Sequence, residues 1–442
     1  MSLDNALSRR RALGLGFGAA AAVALSACGD SGGGAAGGNN AGSGGKEYTG
    51  PKVDLNMWTG FTGGDGDIFR KLIQQFNSEH ANIAVAMSVY KWEEYYQKLP
   101  AAVASGNGPD LGVMHIDSLA TNAARNAIVQ LDDVAKALEL SEGDFNPIVW
   151  KAGVYKDKRY GIPLDMHPLG FYYNKAVMQQ AGLDPEKPPQ TKDEYTEALN
   201  KLKGAGIQGH WMTPFPFTGS LTFQSLLWQH GGKLFNDDNT EAAYNDDAGV
   251  QALSWMVSLV TDGHSPANVG QDADYLALKN GQTAFNWNGI WQINDLKKTS
   301  LQWGVAPLPQ IGTEKAAWAS SHNFAIMQQR RPDQNKVDAS KVFINWLSQH
   351  SLDWAGAGQI PARKSVREES GFKQLAEVNT LAQQLDYLHF PTSLPGIGDA
   401  MITVETAVNE AVLGKKSPKQ ALDDGAANAK KILDENRKKY GS

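Results

Sequence analysis

Five of the 12 tryptophans, Trp58, Trp92, Trp211, Trp287 and Trp291, fall where runs that read as strands give way to loops. Polar residues stand beside them: Asp65, His115, Asp117, Asp165 and His167. Such mixing has a chemical use. A pyranose ring offers an apolar face of C–H groups and a belt of hydroxyls; aromatic faces pair with the first, and Asp, Glu, Asn, His or Arg side chains serve the second. The ends of strands in α/β folds are also where ligands bind. The competing role for any tryptophan is core packing, to which Trp228, Trp255 and Trp346 are assigned because they lie within apolar helical patterns.

Bond-breaking chemistry finds less support. The chain has no nucleophile elbow, no HExxH, no phosphate-cradling loop and no closely spaced Cys/His cluster, so neither a catalytic residue nor a metal ligand is named and no cofactor is expected. Two opposed carboxylates suffice for a glycosidase, which keeps a lipid-anchored glycoside hydrolase as the enzymatic alternative. Asp237-Asp238-Asn239-Thr240-Glu241 lacks the glycine and distal glutamate of a calcium loop and reads as a hairpin turn. Tyr172 and Tyr173, adjacent on a strand, point to opposite faces and cannot share an iron ion.

The elements that must position these residues alternate along the chain. Val53 to Trp58 reads as a strand, Asp65 or Asp67 as the cap of a helix with an Ile68, Phe69, Leu72, Ile73, Phe76 stripe, and Ile83 to Tyr90 as a second strand. A helix from Trp92 to Ser105 carries a breaker at Pro100, and Leu111 to Ile116 reads as a buried strand. Leu169–Tyr173, Thr283–Trp287 and Trp303–Ala306 are further strands, and Thr191-Lys192-Asp193-Glu194 is a capping box. A helix is expected over Asn335–Gln349, and beyond Gly398 the chain reads as almost wholly helical, with Ser417-Pro418 opening the last helix. This order predicts α/β architecture with largely parallel sheets.

The N-terminus concerns location. Arg9, Arg10 and Arg11, an apolar run from Ala12 to Ala27 and the only cysteine, Cys28, make an export signal over residues 1–27. The run is too short and too rich in Ala and Gly to span a bilayer comfortably. Leu25-Ser26-Ala27-Cys28 resembles the lipobox of bacterial lipoproteins, which implies that Cys28 is lipidated and is the sole membrane attachment; the alternative is a buried thiol. Ser8-Arg9-Arg10-Arg11-Ala12-Leu13 resembles the twin-arginine export motif, although Ala12 stands where an aromatic or Leu is usual, and ordinary Sec export is the alternative. Residues 28–48, rich in Gly, Ala, Asn and Ser, form a flexible tether. Removing residues 1–27 takes Arg9, Arg10, Arg11 and Asp4 from 41 basic and 47 acidic side chains and leaves 38 and 46, a net charge of −8. Such a balance argues against a nucleic-acid partner. About 400 remaining residues exceed one core, so two lobes are expected.

Seven short segments, in order, carry a family resemblance over the whole mature chain. They are Trp58 at the end of the first strand, Ala104-Ser105-Gly106-Asn107-Gly108-Pro109-Asp110-Leu111, Tyr160-Gly161-Ile162-Pro163-Leu164-Asp165, Phe171-Tyr172-Tyr173-Asn174-Lys175 with Ala181-Gly182-Leu183, Pro188-Pro189-Gln190-Thr191-Lys192-Asp193-Glu194-Tyr195, Asn288-Gly289-Ile290-Trp291, and Ile360-Pro361-Ala362-Arg363. The chain resembles the extracellular solute-binding proteins of bacterial ABC importers, in the branch of the maltodextrin-binding proteins.

That resemblance implies a two-lobe clamp, lobe 1 from residues 49–163 and 322–360, lobe 2 from 164–321, and a C-terminal helical segment, 361–442, packing mainly on lobe 2. It implies a monomer that binds a carbohydrate, from mono- to oligosaccharide, and hands it to a permease; a glycerol-phosphate ester is the alternative solute. Among site residues it implies Asp117 as a carboxylate on sugar hydroxyls, with a helix N-cap as its other role, and Trp291 as a stacking ring. His167 stands where maltodextrin binders carry a glutamate, which puts maltose-like recognition in doubt. His115, Asp165, Trp58, Phe61, Asp65, Trp92 and Trp287 are candidate contacts from strand ends and loops, and His322 and Arg363 flank the later crossings between lobes.

Overall fold

Alternation along Val53–Thr59 (β1) buries Val53, Leu55 and Met57 and exposes Asp54 and Asn56. The computed structural model describes residues 45–441, so the export signal, Cys28 and most of the tether lie outside the described residues. The tether's last residues do not behave as one: the Asn345 amide donates to Gly45 O at 2.8 Å, and Tyr48 packs against the first core. β1 pairs in parallel with Ile83–Val89 (β2) and, at Met57–Trp58, with Leu111–His115 (β3). His322–Ile326 runs antiparallel to β3, and Ile162–Pro163 closes this five-stranded sheet.

Asp65–Glu79 (α1) joins β1 to β2 and buries Phe69, Leu72, Ile73 and Phe76. Neither Asp65 nor Asp67 caps it, because the cap position is Gly64. A Cβ there would lie 2.8 Å from Asp295 N, so the approach of the other lobe reserves the position for glycine. Pro100 does not break Trp92–Ser105 (α2), which is one continuous helix. Tyr95 and Leu99 are buried on one side of the proline, and on the other the Gly106 and Asn107 N–H groups close the last turn on Val103 O and Ala102 O. β3 passes directly into Ile116–Ala124 (α3).

The second sheet is built on Asp165–Asn174, buried at all ten positions. The expected strand began only at Leu169. Its first half pairs with Ser320, Ala319 and Ile360–Pro361 through residues, Asp165 and His167 among them, that no apolar pattern marks. Its second half pairs with Phe285–Gly289 and Trp303–Ala306, and all of this strand's pairings are antiparallel, so the expectation of largely parallel sheets fails here. The chain leaves one sheet for the other at Leu164, at Ser321 and just before Ile360, so three segments join the two halves. Ile397–Val412 packs on Thr218–Gln229 and Asp247–Thr261 but also touches α3, where Gly396 N–H donates to Thr121 Oγ1. Ser417 caps Pro418–Tyr440, and Thr191 and Glu194 form the expected capping box.

One buried amide fixes the rim of the second half. Gln229, at the end of the Thr218–Gln229 helix, donates from Nε2 to Pro309 O and Ala316 O, both at 3.0 Å, and accepts at Oε1 from Ile311 N–H and Gly312 N–H. Gln229→Leu keeps the volume and strands those backbone groups. Each buried orphan costs about 1–3 kcal/mol, so the variant should lose at least ~3 kcal/mol in urea unfolding; a loss below ~1 kcal/mol would mean that the loop finds other partners.

Candidate functional site

A cleft of about 550 Å³ opens between the two halves. Its first wall is the Gly60–Gly64 loop with Lys91, Trp92 and Glu93 at the start of α2. Its second wall comes from the other half: Phe217, Tyr275, Asn288, Trp291 and Trp318. His115, His167 and His322 line its floor. Each of two tryptophans lies flat on a glycine. A Cβ on Gly60 would stand 2.1 Å from the Trp92 ring, and one on Gly289 would stand 2.1 Å from Trp291. Only a glycine at 60 and at 289 leaves these rings room where they lie. Phe217 meets Trp291 edge-on at 6.0 Å.

The floor is held by one carboxylate. Asp165, fully buried, accepts from His322 N–H at 3.0 Å, His322 Nδ1 at 2.8 Å, His167 Nδ1 at 3.1 Å and Trp354 Nε1 at 2.7 Å. Burial pushes its pKa up, but the facing His322 and His167 outweigh burial and hold the carboxyl well below its usual range. Burial, reinforced by His322, lowers the pKa of His167 to about 4 and that of His115 well below the ordinary value. Both rings are therefore neutral at neutral pH. His115 Nδ1 lies 3.0 Å from the Tyr96 hydroxyl, and His167 Nε2 is buried with no hydrogen-bond partner. The Trp92 ring stacks on His322 at 5.6 Å and leans on His115 at 4.3 Å.

Of the residues expected from sequence, Asp65, Trp92, His115, His167, Trp291 and His322 line this cleft. The others do not. Trp58 is buried against Tyr90 and Tyr95. Phe61 packs behind the floor on Phe69, Trp354 and the edge of His322. Trp287 is stacked on Trp255 in the second core, because alternation along Phe285–Gly289 gives the cleft to Asn288 instead. Arg363 is tied to Asp144 at 2.9 Å. Asp165 touches the histidines rather than the cleft. Asp117 neither lines the cleft nor caps α3; the cap is His115, since the strand ends one residue before the helix begins. Burial raises the Asp117 pKa to about 6, and the facing Glu405 is pushed to about 7 by burial and by Glu93 and Asp117.

Sequence reasoning missed Phe217, Tyr275, Asn288 and Trp318. Phe217 had a readable signal: it ends Phe215-Pro216-Phe217, an aromatic loop of the same kind that marks Trp291. Phe217 and Asp272 also hold positive φ, 74° and 60°, a strained backbone that concentrates at ligand sites.

Two α/β lobes joined by three crossings around such a cleft define a periplasmic-binding-protein-like clamp. Residues 71–380 match the family described as bacterial extracellular solute-binding protein, and the chain belongs to that family. Its members bind solutes and are not enzymes. Among curated relatives, a putative binding protein of Brucella abortus is 24% identical over 381 residues, covering 83% of this chain and 90% of that one. The sn-glycerol-3-phosphate-binding periplasmic protein UgpB of Escherichia coli (strain K12) is 23% identical over 419 residues, with 86% and 92% covered. Among solved structures, maltose-bound T. maritima MalE3 matches with a TM-score of 0.77 at 22% identity, covering 86% of this chain and all of that one. The GacH receptor of Streptomyces glaucescens, solved unliganded and with acarbose, matches at 0.78 and 21% identity, with 87% and 99% covered. No helix among the described residues is long and apolar enough to cross a membrane.

Asp65 gives the site a measurable pH signature. It is buried on the cleft wall, Gln359 Nε2 donates to one oxygen at 3.2 Å, and the other oxygen has no partner. Burial raises its pKa from 3.8 to about 6, against the pull of His322. Between those values the folded state holds more protons than the unfolded chain, so this group's contribution falls as pH rises. Asp65→Asn should therefore be more stable than wild type near pH 8, by up to ~3 kcal/mol, and should lose that advantage near pH 4. Urea titrations at both pH values check this; the same difference at both would show that Asp65 ionises normally.

Proposed function

We propose that the chain captures a carbohydrate in this cleft and hands it, as a monomer, to the permease of an ABC importer. The observation that carries the reading is the opposition of aromatic rings from two lobes, Trp92 on one wall and Trp291 with Trp318 on the other, interleaved with Asp65, Asn288, Gln271 and Gln292. That is the pairing of apolar face and hydroxyl belt that a sugar ring needs. The volume suits a small ligand, since such sites commonly span about 300–1,000 Å³. Solved neighbours bound to maltose, to acarbose and to alpha-D-tagatose support the same class. The UgpB relatives favour a glycerol-phosphate ester instead. The lining weighs against that anion: Asp65, Asp67, Glu93, Asp272 and Asp295 outnumber Arg70, Lys91 and Lys298. Closure follows from ligand contacts that exist only when both walls meet the solute.

A thermal-shift screen of the mature chain against a sugar panel tests the ligand class. A ligand that binds only the native state at one hundred times its Kd adds about 2.7 kcal/mol. Trp291→Ala should weaken the best sugar roughly thirtyfold or more, since truncating a buried contact aromatic commonly costs at least ~2 kcal/mol. Calorimetric titration reads the affinity, a melting curve should show little change, and the sugar should be recovered unaltered. Unchanged affinity would place the site elsewhere, and a panel in which only phosphorylated compounds bind would favour the ester.

The lipid anchor belongs to the same reading, with Cys28 as the acylated residue and the twin-arginine route for export. Cys28→Ala should leave the chain unprocessed or released. A mature-length Cys28→Ala chain that still fractionates with membranes would overturn the anchor.

A further inference from the structure

Sugar recognition does not account for the floor of the cleft. His115 ends β3, His167 lies on Asp165–Asn174 and His322 opens the strand opposite β3, so three separate segments deliver them. One nitrogen from each lies within 4.8 Å of the other two. The Nδ1 atoms are already engaged. His167 and His322 direct theirs to the two oxygens of Asp165, and His115 directs its own to Tyr96. An ionised carboxylate only accepts, so Nδ1 of His167 and His322 carries a hydrogen and Nε2 is the atom each ring has left for a ligand. The Nε2 of His167 is buried and has no partner. A carboxylate behind a histidine that fixes its tautomer and orientation is the outer shell of many metal sites.

We propose that His115, His167 and His322 bind one divalent transition-metal ion of the zinc class through Nε2, with the fourth coordination position open to the cleft. Three imidazoles suit zinc, copper or nickel, whereas magnesium and calcium require oxygen ligands. Zn–N bonds of about 2.1 Å set tetrahedral nitrogens about 3.4 Å apart, so binding would draw the rings together from a spacing of up to 4.8 Å. Three protein ligands with an open position can accept water or an oxygen atom of the cleft's occupant. Because His115 and His322 belong to the first sheet and His167 to the second, the ion would tie the lobes together at their crossings.

The test is made without sugar, so its outcome is separate from that of the carbohydrate screen. Tag-free mature protein, stripped with a chelator, is titrated with ZnCl2 by calorimetry and with CoCl2 by visible absorption. The expected result is one equivalent per chain, with cobalt absorption of tetrahedral type. His167→Gln should weaken zinc at least a hundredfold, and Asp165→Asn should weaken it about ten- to a hundredfold. Where a variant does not fold, the cobalt-loaded wild type decides, because three histidines bound through Nε2 give three solvent-exchangeable, paramagnetically shifted Nδ1–H resonances. Absence of saturable one-to-one binding, a folded His167→Gln that binds zinc as wild type does, or cobalt spectra without those resonances would overturn the site.

Discussion

The structure depends on the ionised side chain of Asp165, buried where the two lobes meet. It sits at the start of the second sheet's long strand, yet three of its four donors come from the other half of the molecule: Trp354 from the first core, and the ring and backbone of His322. A buried carboxylate is tolerated only when its charge is matched by donors, and these four supply the match. Removing any donor leaves a charge facing an apolar core. The His167 and His322 rings are thereby oriented, and the crossing strands are registered against one another. Phe61 and Trp92 pack on the resulting platform. The cleft floor, the hinge and the first core thus share a single electrostatic anchor.

Much of the fold was legible because its signals are local. Alternation in Val53–Trp58, the capping box at Thr191 and the Ser417-Pro418 start each depend on a few neighbouring residues. What failed had non-local causes. The Gly64 cap is dictated by Asp295 in the opposite lobe, and the unbroken α2 by burial before Pro100 and by the hydrogen bonds that close its last turn after it. The strand at Asp165–Asn174 begins with polar residues whose partners arrive from remote segments.

The site divides along the same line. Trp92 and Trp291 could be found because each follows closely on a run that reads as a strand. Trp287 could not be told from Asn288, since one residue of register reverses the face and only the paired strand fixes it. Asp117 slipped for the same reason at a strand–helix junction. The histidine cluster left no trace in spacing, because its members are brought together by sheet pairing across three segments.

The lobes also meet at the mouth of the cleft, where Lys298 reaches across to Asp67 at 2.7 Å and Gly64 abuts Asp295. Both charged side chains are more than half exposed. An ion pair in that setting is worth no more than about 1 kcal/mol and is screened within roughly 10 Å at 0.1 M salt. The mouth is therefore fastened by a latch that electrolyte loosens, while the buried anchor at the hinge is largely insensitive to it. A receptor of the extracellular family meets whatever salinity its surroundings impose. Rising salt weakens this contact between the two walls, while the hydrogen bonds that Asp165 accepts inside the protein are shielded from it.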